Sequence, residues 1–515
     1  MIRNVFDFVR HPLVDRLRDL RWEEFLRRNN APFGVIRCSS RQEALDVYHS
    51  MPQHASKDVV DSWDFLQQVI VPLLHAPADE ITFDYPTATT EPGGFESDAM
   101  VDAFFGKCRF ELFGTSEVEG TLRFLYEHMR CGIVVRVVRG RVVCFCPFYN
   151  PDFTNKWPAG VPSGAEAFKD RTGLAVKNWW ANGGILCTEA MPWGSHFLMQ
   201  IKDLVAEAAA TFNIRDVTFC INKRDFPQWK YNTSLQTFTE PYGFLFDRDD
   251  ADPFQDIPLA TDFPAKPLPM FSFYGGDRFA DLLFPPTEDW EAACKCTYLP
   301  SVLYKGALVL TSVRDLTRAV PEAGCVESLS TKKDVLFFRG SATGSGTTAL
   351  TNSRLLAFER LLHEPNTDVR CTSIGRRLHK HYLEDVAVVG TPSFPVSEAF
   401  YVPMADQIRN KFLLYIEGHC AACRLGVMLS SGCVVFKTTS TCVASELWFS
   451  HLLKEGVHFV SIASDFSDVA EKIRYYLDHP DEAQKIASNA RRLWETYLSK
   501  PNLVCYVGGL LAAYV

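Results

Sequence analysis

From Asp334 to the C-terminus, short apolar runs alternate with helical patterns, and this alternation narrows the possible folds more than any other feature of the chain. Strands are expected at 335–338, 369–374, 412–416, 433–436 and 459–462. Helical periodicity covers 351–363, 421–430, 443–454, 466–478 and 481–498. Apolar runs without polar alternation bury both faces, as strands of a parallel sheet do when helices cover it. Strands and helices in strict alternation therefore predict an α/β, doubly wound parallel sheet.

The first half carries a second, less regular α/β unit. A helical pattern over 197–212 feeds the run Val217-Thr218-Phe219-Cys220-Ile221, which leads into Asn222-Lys223-Arg224-Asp225-Phe226-Pro227. Pro227 forces a turn there, so Asp225 is expected just past the carboxyl end of a buried strand. In open α/β sheets ligands bind at that edge, which makes Asp225 a candidate acid or base as well as an ordinary turn former. Residues 133–148 read as a hairpin, and 12–28 as an amphipathic helix. A stretch rich in Pro, Asp and Phe between Asp247 and Pro286 separates the two units, so a cleft between them is expected to hold the ligand.

Composition excludes several classes. A net charge of −9 argues against a general nucleic-acid binder, because phosphate contacts along a duplex need a basic face. Sixteen cysteines in 515 residues are too dilute for a disulfide scaffold, so buried free thiols in a reducing compartment are expected. The opening residues lack the continuous hydrophobic core of a signal peptide, and no segment reaches the roughly 20 apolar residues a bilayer requires.

Two loops of the second half have the composition of anion sites. Leu336-Phe337-Phe338 runs into Arg339-Gly340-Ser341-Ala342-Thr343-Gly344, ahead of a helix near Asn352. A strand, a Gly/Ser/Thr loop and a helix start present N–H groups to an anion. Arg354 in the first turn of that helix opposes the helix dipole, which hints at a bound phosphate. The second loop, Glu417-Gly418-His419-Cys420-Ala421-Ala422-Cys423-Arg424, again follows an apolar run, and its small residues would let a ligand approach the backbone. Cys420 and Cys423 form a half-site for metal or redox chemistry without a second pair at ligand spacing. Asp247 and Asp249 could hold a divalent cation, or be a solvated acidic run.

These segments, in this order, resemble the CAP10-like glycosyltransferases, the family that includes the protein O-glucosyltransferases and fungal capsule xylosyltransferases. Residues 221–228 resemble the family's Asn-x-Arg-Asp-aromatic-Pro-Gln segment, and Pro269-Met270-Phe271-Ser272-Phe273 its Pro-x-Phe-Ser-Phe strand. Phe338-Arg339-Gly340-Ser341 is similar to its Phe-Arg-Gly-Ser loop, and Gly418 to Arg424 to its loop ending in a phosphate-binding arginine. The likeness extends over about residues 200–515 and leaves 1–130 unmatched.

The resemblance implies a GT-B-like fold of two Rossmann-like doubly wound domains facing a cleft, plus an N-terminal extension. The expected division is 1–130 for the extension, 131–325 for an acceptor-side domain, 326–498 for a nucleotide-sugar domain, and 499–515 for a C-terminal helix packing back on the body. It implies inverting transfer of xylose or glucose from a UDP-sugar to a hydroxyl of a glycan or protein, with no metal and no cofactor. Asp225 is implied as base. Arg339, Gly340, Ser341, Thr343, Arg354, Glu417, Gly418 and Arg424 are expected at the donor, and Phe226, Trp229, Phe271 and Ser272 on the acceptor side. Glu417 stands where the animal enzymes have Arg. Signal-less relatives occur in large DNA viruses, so a cytoplasmic location is expected, the host's if the chain is viral. The alternatives are a silent binding protein of the same fold and a metal-dependent transferase using Asp247 and Asp249.

Overall fold

The computed structural model describes residues 9–10, 37–38, 63, 66–83, 105–129, 131–149, 195–222, 224–241, 259, 263–294, 297–298, 320–321, 327–344, 349, 352–374, 392–440 and 442–514. The helix expected over 12–28 and the acidic run 247–252 lie outside these residues.

The first sheet begins after helix α1 (Val118–Phe124), with β1 (Cys131–Val138), which is buried along its whole length, and β2 (Arg141–Tyr149). Their connection is Arg139 and Gly140, with φ of 47° and 72°. Two consecutive positive φ values match the right-handed strand twist and close a tight hairpin. Helix α2 (Ser195–Thr211) then leads to β3 (Asp216–Ile221), followed by β4 (Met270–Ser272) and β5 (Leu282–Leu283). The order is β5-β4-β3-β1-β2. Strands β3, β4 and β5 run parallel, while β1 is antiparallel to both neighbours. The expected doubly wound unit is thus a mixed sheet, because a two-residue turn can only join antiparallel neighbours.

Helix α3 (Thr287–Cys294) follows, and the second sheet is built from β6 (Lys333–Gly340), β7 (Thr367–Cys371), β8 (Asn410–Tyr415), β9 (Val434–Thr438) and β10 (Val460–Ile462). All pairings are parallel, in the order β7-β6-β8-β9-β10. Helix α4 (Ser353–Arg360) connects β6 to β7, and α5 (Leu425–Ser430) connects β8 to β9. Helices α6 (Val469–Asp478), α7 (Pro480–Tyr497) and α8 (Lys500–Tyr514) complete the chain. The chain leaves β6 in one direction for β7 and returns on its other side for β8. The crevice between the carboxyl ends of β6 and β8 is therefore the topological switch point, where parallel sheets bind ligands.

The helix expected over 443–454 does not form; Ser450–Leu452 is a short 3-10 turn in otherwise irregular chain. Leu447, Trp448 and Phe449 are consecutive and all buried, so their apolarity fills the junction between the sheets instead of one face of a helix. Gly275 and Glu446 exchange backbone hydrogen bonds of 3.0 Å across that junction, and Trp448 Nε1 donates to Asp289 Oδ2 of α3 at 2.9 Å. Helix α8 crosses back onto the first sheet, where Tyr506 donates to the Leu283 carbonyl at 2.8 Å. Residues of both halves share one apolar core, among them Leu282, Trp290, Leu425, Trp448 and Tyr506. Among the described residues no helix is long and apolar enough to cross a membrane.

Candidate active site

Strand β3 is buried from Val217 to Ile221 and delivers Asn222, fully buried, at its carboxyl end. Asn222 organises the turn that follows. Its Oδ1 accepts from the Arg224 amide (2.7 Å) and Gln228 Nε2 (2.5 Å), and its Nδ2 donates to the Phe226 carbonyl (2.6 Å) and Ser272 Oγ (3.0 Å). Arg224 braces the turn from outside through two hydrogen bonds, 2.9 and 2.7 Å, to the Met129 carbonyl. Asp225 is the exposed member of this turn among the described residues, at the edge expected from the sequence.

A second acid, this one buried, holds the outgoing chain. Asp281 accepts from the amides of Gln228 (2.8 Å) and Trp229 (2.7 Å) and from Ser272 Oγ (2.5 Å). Burial pushes its pKa up to about 6 despite these donors, which favour the charged form. Neither Asn222 nor Asp281 was among the expected site residues. A polar residue closing a buried strand was a usable signal for Asn222; Asp281 joins Gln228 from 53 residues away and has no local signature.

The acceptor contacts expected of Phe226, Trp229, Phe271 and Ser272 are corrected by their burial, at 5, 1, 1 and 1% exposure. Trp229 donates from Nε1 to the Leu268 carbonyl (3.0 Å) and packs against Phe124, Phe238 and Phe263. Phe271 meets Phe219 edge-on with centroids 4.9 Å apart. Phe271 and Ser272 are buried because β4 lies between β3 and β5 with all its residues buried.

At the switch point of the second sheet, Arg354 ties the two loops together. Asn352 caps α4 through the amides of Arg354 (3.0 Å) and Leu355 (3.2 Å), which sets the first turn. From there the guanidinium donates to the carbonyls of Ser341 (3.0 Å), Ile416 (3.2 Å) and Glu417 (3.0 Å) and to Thr343 Oγ1 (2.6 Å). Arg424, the residue before α5, donates to the Arg339 carbonyl at 2.8 Å. Both guanidinium carbons lie near the Phe338 ring, at 5.8 Å for Arg354 and 5.3 Å for Arg424. Burial, and then the charge of Arg424, lowers the Arg354 pKa to about 10; burial also lowers that of Arg424. Their protein hydrogen bonds go to neutral oxygens, and a buried Arg354 further depressed by the charge of Arg424 makes a place that favours an anion.

Little room is left beside the glycines where these loops meet. A Cβ on Gly418 would lie 3.2 Å from Arg354 Nη2 and 3.3 Å from Thr343 Oγ1, and one on Gly340 would lie 2.9 Å from the Phe338 ring. Ser341 pairs with Ser373 through their hydroxyls at 2.6 Å. Glu417 is buried; its Oε2 accepts from Ser440 Oγ, while Oε1 has no hydrogen-bond partner among the described residues. Burial pushes its pKa up to about 7, opposed by the Ser440 bond and by the charges of Lys437 and Arg354.

Arg339 is a correction. Its guanidinium donates to Asp368 Oδ2 (2.7 Å) and to the carbonyls of Asp368 (2.7 Å), Phe400 (2.9 Å) and Phe338 (3.0 Å), and it stacks on Phe337 at 4.2 Å. Strand alternation explains this: Phe338 faces the paired arginines, so Arg339 faces the other side of the sheet. Cys420 is buried and Cys423 partly buried, and among the described residues no three His, Cys, Asp or Glu side chains are grouped as metal ligands.

The family model described as Glycosyl transferase family 90 matches residues 242–515, beginning just beyond Asp225. Protein 179R of Invertebrate iridescent virus 6 is 23% identical over 452 residues, covering 77% of this chain and 37% of its own length. Protein O-glucosyltransferase 1 of Rattus norvegicus is 25% identical over 264 residues, covering 50% of this chain and 60% of its own. The chain thus spans well under two thirds of the viral relative. Among solved structures, Anabaena HepE in complex with UDP-glucose aligns over 37% of this chain and 56% of that one, with a TM-score of 0.25 and 10% identity, too low a likeness to support a conclusion.

Proposed function

The chain belongs to glycosyl transferase family 90, and on that premise we propose that it is an inverting, metal-independent transferase moving xylose or glucose from a UDP-sugar to a hydroxyl of a glycan or protein. The observation that carries this reading is the buried pair Arg354 and Arg424, meeting at the switch point without a carboxylate ion pair among the described residues. The name of the rat relative, an O-glucosyltransferase, supports the reaction class.

In this reading the diphosphate of the donor lies against Arg424, Arg354 and the loop N–H groups of Ser341 and Thr343, the Ala342 N–H between them being held by the Ser373 carbonyl. As the anomeric carbon–oxygen bond breaks, the electron pair moves onto the UDP oxygen, and these donors stabilise the growing charge. Fixed donors aimed at developing charge are worth roughly 3 kcal/mol each, about a hundredfold in rate. Arginines can thus supply the charge that other transferases draw from a cation. Glu417 Oε1, buried without a partner among the described residues, would accept from a donor hydroxyl. Asp225 takes the proton of the acceptor hydroxyl as its oxygen attacks from the face opposite the leaving group, which inverts the anomeric centre. Asn222 and Asp281 hold the turn so that the carboxylate needs little reorganisation.

Incubation with a panel of UDP-sugars, scored for UDP release with and without glycan acceptors, tests the proposal. Release from UDP-glucose or UDP-xylose is expected. Failure with every donor, under conditions where UDP itself binds, would leave the silent binding protein as the reading.

A further inference from the structure

Tyr274 is absent from every expectation drawn above, yet the fold carries it to the junction of the two half-sites. Strands β3 and β4 pair in parallel, Cys220 with Met270 and Ile221 with Phe271, and Asn222 Nδ2 reaches Ser272 Oγ at 3.0 Å. Tyr274, two residues beyond β4, therefore leaves the sheet at the same edge as Asp225. The next residue, Gly275, exchanges its two backbone hydrogen bonds with Glu446 at 3.0 Å. Gly276 lies so close to the second half that a Cβ there would be 2.3 Å from the Val443 carbonyl. Ala444, in the same segment, accepts from the Ala421 amide at 2.8 Å, inside the loop that ends in Arg424. The partly buried Tyr274 thus sits on the backbone crossing that ties the Asp225 edge to the Gly418–Arg424 loop.

We propose that the Tyr274 hydroxyl donates a hydrogen bond to the sugar being transferred. The proposal rests on the transferase reading: a sugar attacked by an oxygen at Asp225 and leaving a diphosphate at Arg424 must occupy the gap between them. Tyr274 stands at the crossing between those two loops, within electrostatic range of Cys423 and Cys420 beside Arg424 and of Glu288 and Asp225. Burial, with those neighbours, holds its phenol well above the ordinary range, which keeps the hydroxyl a neutral hydrogen-bond donor.

The test is Tyr274→Phe, which removes the hydroxyl and keeps the ring. Calorimetry with UDP, UDP-glucose and UDP-xylose is combined with UDP release from the donor that the wild type turns over. The expected result is a melting temperature and UDP affinity like those of the wild type, with turnover lowered roughly tenfold, the effect of one neutral hydrogen bond. Unchanged turnover overturns the proposal, as does an equal loss of UDP affinity, which would assign the hydroxyl to the nucleotide. Asp225→Asn in the same assay separates the two readings. Normal turnover by Asp225→Asn removes the base assignment while the Tyr274 comparison still reads a sugar contact. A wild type that binds no UDP-sugar removes both.

Discussion

The tie between the two half-sites can be probed through Asp289, independently of any substrate. This residue of α3 is 2% exposed, accepts from Trp448 Nε1 at 2.9 Å, and leaves Oδ1 without a hydrogen-bond partner among the described residues, packed where a Cβ on Gly426 would come within 2.1 Å of it. Burial pushes its pKa up to about 8, against roughly 3.9 for an unfolded aspartate. The folded state therefore holds the proton more tightly than the unfolded state. Its contribution to stability is fully present below pH 4 and is lost as pH rises through 8, by about 1.4 kcal/mol per pH unit between. At pH 7 the accumulated loss is about 4 kcal/mol. Asp289→Asn keeps an oxygen for Trp448 and cannot ionise, so it should be more stable than the wild type at pH 7 and 8. Urea denaturation at pH 5, 6, 7 and 8 measures this: the gap between variant and wild type should widen by about 3 kcal/mol from pH 5 to pH 7. Parallel stability curves would refute the reasoning, because they would mean that Asp289 is not held neutral at the junction.

Four further outcomes are expected. Asp225→Asn should bind UDP-sugars with wild-type affinity and lose transfer by at least a hundredfold; retained turnover would remove the base assignment. Arg424→Ala should weaken UDP binding by about a hundredfold, roughly 3 kcal/mol, and an unchanged affinity in calorimetry would count against the diphosphate role. Asp281→Asn places an amide N–H₂ against the Gln228 or Trp229 N–H, which costs about 1–3 kcal/mol of stability, and should lower kcat while leaving UDP affinity intact. Activity should survive EDTA; loss that manganese restores would favour a metal at Asp247 and Asp249.

Much of the site was legible because it sits at strand ends. The run 217–221 and the turn at Pro227 placed Asp225 at the edge of β3, and the two small-residue loops proved to flank the switch point between β6 and β8. Arg354, singled out because it opposes the helix dipole, is the side chain that joins those loops. Two positions that the family resemblance put at the site have side chains that turn elsewhere. Arg339 adjoins Gly340 but faces Asp368, and Trp229 adjoins the base turn but packs inward.

By itself the sequence determined the alternation of strand and helix, since hydrophobic periodicity is a property of neighbouring residues. It also determined which strand ends carry the carboxylate, the arginines and the glycines. Only the tertiary structure decided that the first sheet is mixed and that 443–454 fills a junction. The same holds for Asp281, which locks the base turn, and for Gly275 pairing with Glu446, which brings the two edges together. Those decisions rest on contacts between residues far apart in the chain. Their energy comes from burial and from satisfying buried polar groups, which no local pattern encodes.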